Sequence, residues 1–250
     1  MVAASGTKLD AALADLGWLD MLDEIPDVAI PLVFRLLGET GAHAPVLNDV
    51  VLRAAGRAGG GTLPLPFAGG SWVLWQRTDQ SGSTLDELPI HRVPDGDPVP
   101  LAVLSVGRKA LGWWLVGSSR AMLSLARQHA VDRVQFGRPI ASFQAVRHRL
   151  AETLVAIEGA EAALDATDDS DEFEFACLLG KAAAGQAALT AARHCQQVLG
   201  GIGFTAEHQL HHHVKRTLVL DGLLGSAREL TREAGATLRA KGFAPRLTQL

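Results

Sequence analysis

Between Leu101 and Lys241 apolar residues recur at three- and four-residue steps, and that recurrence restricts this part of the chain to helices. Leu111, Trp114, Leu115, Met122 and Leu125 form one set; Phe143, Val146, Leu150, Leu154, Ile157 and Leu164 form the next. Each set lines one helix face. After the acidic turn at Asp168–Asp171, Phe175–Leu199 reads as an alanine-rich helix that Gly200 and Gly201 terminate. A last helix is expected over Thr217–Leu238. Four long helices with short links predict a mainly α protein built on an antiparallel four-helix bundle over residues 101–250.

Two regions precede the bundle. Residues 1–58 hold short apolar-periodic stretches, Leu9–Leu16, Val28–Leu37 and Val46–Leu52, punctuated by Pro26, Pro31 and Pro45. Gly38 and Gly41 lie beyond the second stretch, where a short helix is expected to stop. Residues 59–100 open on three glycines and are rich in proline. They offer two strand candidates, Ser71–Gln76 and Leu88–Val93, joined by a polar turn at 78–87. This is a reduced β element, too short for a domain of its own.

With 250 residues, 48% of them hydrophobic, the chain can bury one sizeable core. A net charge of −4 argues against a nucleic-acid binder. Arg108, Lys109 and Arg120 interrupt the most apolar stretch, so no membrane span is expected, and the N-terminus shows no apolar signal core. Cys177 and Cys195 fall in a helical pattern and read as reduced core thiols of a cytoplasmic protein. His208, His211, His212 and His213 have helical metal-ligand spacing, but no cysteine or acidic pair accompanies them, and no metal is expected.

Residues 126–152 read ARQHAVDRVQFGRPIASFQAVRHRLAE, and residues 195–216 read CQQVLGGIGFTAEHQLHHHVKR. In this order and at this separation they resemble the acyl-CoA dehydrogenase family, whose pattern is R-x-x-F-G-x-P-I, then F-Q-x-V, then Q-x-x-G-G-x-G-F-T-x-E-H. Leu16 to Leu19, Leu36 to Glu39 and Ala44-Pro45 resemble the family's N-terminal helical domain. The resemblance implies FAD at a subunit interface, with the C-terminal bundle serving the neighbour's flavin. By resemblance, Arg133 lies on the adenine-diphosphate part, a task that suits a planar guanidinium. Phe136 packs on the cofactor, and Phe143 and Gln144 occupy a second contact position. Gln197, Val198, Leu199, Gly200 and Gly201 approach the diphosphate through backbone N–H groups. Taken singly, each residue has an ordinary reading: a surface arginine, a helix stop, two core aromatics.

In the family, own-subunit flavin contacts and most of the acyl pocket lie in a middle β-barrel, for which residues 59–100 offer no counterpart. The family's base is a carboxylate that removes the α-proton while the β-carbon gives hydride to the flavin. Its two alternative positions align with Leu224 and Gly107, so no catalytic residue is expected in this chain. Asp221 nearby reads as a solvated or capping residue. Arg108 matches a family arginine near the thioester and is the one expected substrate contact. This lopsided loss resembles the shortened subunits of heteromeric actinobacterial steroid-CoA dehydrogenases. It implies FAD shared with a full-length acyl-CoA dehydrogenase partner in an α2β2 complex that acts on an acyl-CoA. A flavin-free structural or regulatory partner of a dehydrogenase is the competing reading.

Overall fold

Helix α5 (Leu101–Asp132) is the axis of the fold. The computed structural model describes residues 5–77 and 88–245. Every α5 residue from Gly107 to Ser119 is buried, and a helix buried on all sides needs neighbours all round. These are α3 (Pro26–Thr40), α4 (Val46–Ala54), α6 (Gln144–Asp165), α7 (Phe173–Leu199) and α8 (Leu210–Gly222). Two short helices, α1 (Thr7–Asp15) and α2 (Trp18–Glu24), lead in. By length and composition α7 could cross a membrane, but 72% of its most apolar window is buried inside the protein, the position of a core helix.

Helix α3 runs past the expected stop. Pro26 sits at its first turn, where a missing N–H costs nothing, and Pro31 is accommodated inside. Gly38 lies within the helix, because a Cβ there would collide with the Trp114 carbonyl. Gly41, at φ 67°, makes the actual stop.

The reduced β element is a three-stranded antiparallel sheet of β1 (Pro64–Phe67), β2 (Ser71–Trp75) and β3 (Ile90–Val93), in that order. β2 and β3 match the two expected strands; the polar turn 78–87 lies outside the described residues. β1 was hidden by its two prolines, which an edge strand tolerates because its outer N–H groups need no partner. Leu65, Val73, Trp75 and Ile90 are fully buried beneath the sheet. Trp75 stacks on Trp114 at 5.5 Å, and Phe34 meets Trp114 edge-on at 5.6 Å, so sheet, α3 and α5 share one core.

The expected single helix Thr217–Leu238 is two, α8 and α9 (Ala227–Lys241), giving five helices from α5 onward among the described residues. Leu224 at φ 55° and Gly225 at φ 101° turn the chain out of helical geometry. Ser226 and Glu229 restart it with a capping box: the serine hydroxyl accepts from the Glu229 N–H, and the Glu229 carboxylate accepts from the Ser226 N–H. The turn adds a rung to the sheet, where the Leu224 N–H donates to the Pro66 carbonyl at 2.8 Å.

Candidate functional site at the far end of the bundle

Helix α5 ends at Arg133, whose backbone turns extended. The chain then makes a two-residue hairpin between β4 (Val134–Gln135) and β5 (Arg138–Pro139). Phe136 at φ 53° and Gly137 at φ 76° are both left-handed, the geometry a two-residue hairpin turn requires. The turn pushes Phe136 outward, leaving it 91% exposed. Its ring meets Phe143 edge-on at 6.1 Å, and the Arg138 guanidinium lies 4.4 Å from the Phe143 ring centre. Gln144 opens α6 and is exposed, as is Arg133.

The second motif ends α7. Gln197 is exposed, whereas Val198 and Leu199 turn their side chains into an apolar cluster with Ala126, Ala130 and Ile140. That same cluster supports the start of α6 through Val146, so both motifs are built on one end of the bundle. Gly200 takes φ 65°, and a Cβ at Gly200 or Gly201 would meet nothing within 4 Å. A side chain there would point into open space, while the backbone N–H groups at this cap donate back to the Gln196 and Gln197 carbonyls. His129, one turn before Arg133, is pushed below its ordinary pKa by burial, then by His208 and Arg133. The end of α5 and the segment after Gly201 are thus electrostatic neighbours.

This donor set fits half of a flavin dinucleotide. An exposed guanidinium suits a diphosphate, and an exposed aromatic edge suits a flat ring. The described residues at this end build no walled pocket for a flavin ring.

The two positions aligned with the family base meet elsewhere, near the other end of α5. A Cβ on Gly107 would lie 2.6 Å from Leu224 Cδ1 and 3.2 Å from Val51 Cγ2. Leu224 is 1% exposed. Its side chain fills the place beside Gly107, and no carboxylate is there. Arg108 is buried; its Nε donates to the Leu224 carbonyl at 3.1 Å, and Nη2 lies 3.4 Å from Glu233. It clamps the α8–α9 turn. Asp221 is buried rather than solvated, and it accepts from the Ala227 N–H as a cap.

The histidine group does not converge. His213 lies against Gly41, and burial pushes it down to about 4. His208 Nδ1 accepts from the Leu210 N–H, and no cluster of three metal-type side chains forms among the described residues. No sequence motif marks Lys181. It is fully buried and donates to the Asp221 and Gly225 carbonyls at 2.6 and 2.5 Å. The available signal was a single cation in an otherwise uncharged run from Phe175 to Ala192.

A family model for the acyl-CoA dehydrogenase C-terminal domain matches residues 95–236. Acyl-CoA dehydrogenase FadE34 of Mycobacterium tuberculosis is 33% identical over 213 residues, 77% of this chain but 30% of that protein. The chain thus spans about a third of the length of such relatives. A chain of the solved Tcur3481–Tcur3483 steroid ACAD superposes with a TM-score of 0.75 at 21% identity, covering 95% of this chain and 90% of that one. A chain of the ChsE4–ChsE5 complex from Mycobacterium tuberculosis gives 0.74 at 19%, covering 97% and 90%. These two likenesses extend the shared fold to nearly the whole chain. With its C-terminal domain matched over more than half its length, the chain belongs to the acyl-CoA dehydrogenase family.

Proposed function

We propose that this chain is one subunit of a heteromeric, FAD-dependent acyl-CoA dehydrogenase, and that it grips the dinucleotide tail of a flavin whose ring is housed by a full-length partner subunit. The observation that carries this reading is a separation. The open end at Arg133 and the filled position at Gly107 are about 39 Å apart along α5, farther than one dinucleotide reaches. The flavin-type end therefore serves a site that this chain does not complete. When bound, the flavin supplies the hydride acceptor for the β-carbon. Arg133 would pair with phosphate oxygens, the glycines at Gly200 and Gly201 would let the tail approach the backbone closely, and Phe136 would shield it from water. The α-proton leaves to a carboxylate of the partner, since Leu224 and Gly107 offer none. The likeness to a steroid ACAD and to a two-subunit complex supports a steroid-derived CoA thioester and an α2β2 assembly. Two free, buried cysteines fit a cytoplasmic setting.

The test is co-expression with a full-length acyl-CoA dehydrogenase subunit. The purified complex should be yellow, and Arg133→Ala should weaken flavin retention roughly tenfold or more without changing the complex mass. A colourless complex, or one whose flavin ignores Arg133→Ala, would instead favour the flavin-free partner.

A further inference from the structure

A recess of about 420 Å³ lies where the first half of α3 passes Trp113 of α5 and the last turn of α6. Four carboxylates line it, and only two are neutralised. Asp168 pairs with Lys109, and Glu161 pairs with Arg120 and Arg35. The carboxylates of Asp27 and Asp165 have no hydrogen bond or ion pair among the described residues. Asp165 is held above the ordinary carboxylate range by partial burial first, then by Glu161 and Asp168, as a negative charge short of counter-ions would be. Trp113 is only 5% exposed, and its indole N–H has no acceptor. Arg35 Nε is likewise buried without a hydrogen bond. Beside these polar groups, Val28 and Leu32 leave their aliphatic side chains open.

These features specify a ligand between them. Two open carboxylates call for two cationic groups. A buried donor left without an acceptor is costly, so the Trp113 N–H calls for an anion or carbonyl in the same molecule. A bare metal ion brings no acceptor, and no group of three metal-type side chains forms among the described residues. A simple diamine brings no acceptor either. The aliphatic floor suits a chain of methylenes between the polar ends. A basic α-amino acid carries all four parts: two cations, a carboxylate and an aliphatic stem.

We propose that this recess binds a free basic α-amino acid of the lysine type, with its two ammonium groups on Asp27 and Asp165, its carboxylate on the Trp113 N–H and Arg35, and its methylenes on Val28 and Leu32. Trp113 is about 30 Å along α5 from Arg133, so the site is separate from the flavin-type end and stands or falls apart from it.

Isothermal titration of the full chain with L-lysine, cadaverine, 6-aminohexanoate and Nα-acetyl-L-lysine amide tests the site. L-lysine should bind once per chain. Cadaverine lacks the acceptor and 6-aminohexanoate lacks the α-ammonium, so each should bind at least about tenfold more weakly. Nα-acetyl-L-lysine amide keeps one cation and should bind more weakly still. Asp165→Asn alters an exposed side chain and breaks no intramolecular pair. It should weaken L-lysine binding at least about tenfold with unchanged circular dichroism. Trp113→Phe should narrow the gap between L-lysine and cadaverine. No L-lysine binding up to about 10 mM, or undiminished binding to the Asp165→Asn variant, overturns the proposal. So does cadaverine binding as tightly as L-lysine, because the buried donor would then recognise nothing. Equal binding of Nα-acetyl-L-lysine amide overturns it as well, since the recess would then take a lysine side chain of another polypeptide.

Discussion

Lys181 shows how one side chain holds a turn that no local motif predicts. Its ammonium is buried in α7, satisfied by the Asp221 and Gly225 carbonyls, with the Asp221 carboxylate 4.0 Å away. Burial lowers its pKa from 10.5 to about 8, and Asp221 only partly offsets this. A lysine depressed in the folded state binds fewer protons there than when unfolded, so its contribution to stability rises with pH above about 8. Cys177 and Cys195 act in the opposite sense. Burial pushes both thiols from 9.0 up to about 12, so their contribution falls once unfolded thiols ionise above about 9. Urea titrations of the wild type and Lys181→Met should therefore diverge by on the order of 1 kcal/mol between about pH 8 and 9. Parallel curves across that window would refute the assignment. The sequence displayed the lone cation but not its acceptors, which are main-chain groups of a turn about forty residues further on.

At the scale of elements, the crossing of α3 over α5 attaches the N-terminal region to the bundle. Gly38 abuts the Trp114 carbonyl, and Gly117 abuts the Arg35 carbonyl, so the two backbones touch with no side chain between them. Neither neighbour is a flexible side chain that could yield. Gly117→Ala should therefore destabilise by about 3 kcal/mol, measured as a shift in the denaturant midpoint, although alanine is the better helix former. A neutral or stabilising result would mean that propensity outweighs the close approach. The same pair shows why periodicity read some elements well and others badly. Helices α5, α6 and α7 carry apolar residues at helical steps for many turns, which a sequence displays directly. Gly38 carries the usual mark of a helix end, and only its neighbour in space reveals that it serves a crossing. β1 is four residues with two prolines, and its strand character comes from pairing with β2. The break between α8 and α9 rests on left-handed Leu224, a residue type that gives no warning of such a turn.

Across the whole molecule, the two ends of α5 differ in how far the sequence revealed them. The Arg133, Phe136 and Gly200 end is written in two contiguous motifs, and the structure builds both on one apolar cluster. The Gly107 and Leu224 end joins residues more than a hundred positions apart. The sequence indicated that both lack a carboxylate, but not that one side chain occupies the space beside the other. That filling has a consequence for re-engineering the chain. Leu224→Glu restores the residue type at the aligned position, but it places a carboxylate against Gly107 in the apolar cluster that holds Val51 and Leu47, beneath a sheet whose edge is fastened to the same turn. Such a group is driven toward its neutral form and costs stability, roughly 2–4 kcal/mol. The variant should unfold at lower denaturant, and the chain alone, supplied with FAD and an acyl-CoA, should show no dehydrogenation. Paired with a full-length subunit whose own base has been removed, it should remain inactive, since the proposed division of labour keeps the thioester on the partner's side. Measurable turnover in that pairing would mean that an open acyl pocket lies behind Leu224, and the division of labour between the two subunits would have to be redrawn.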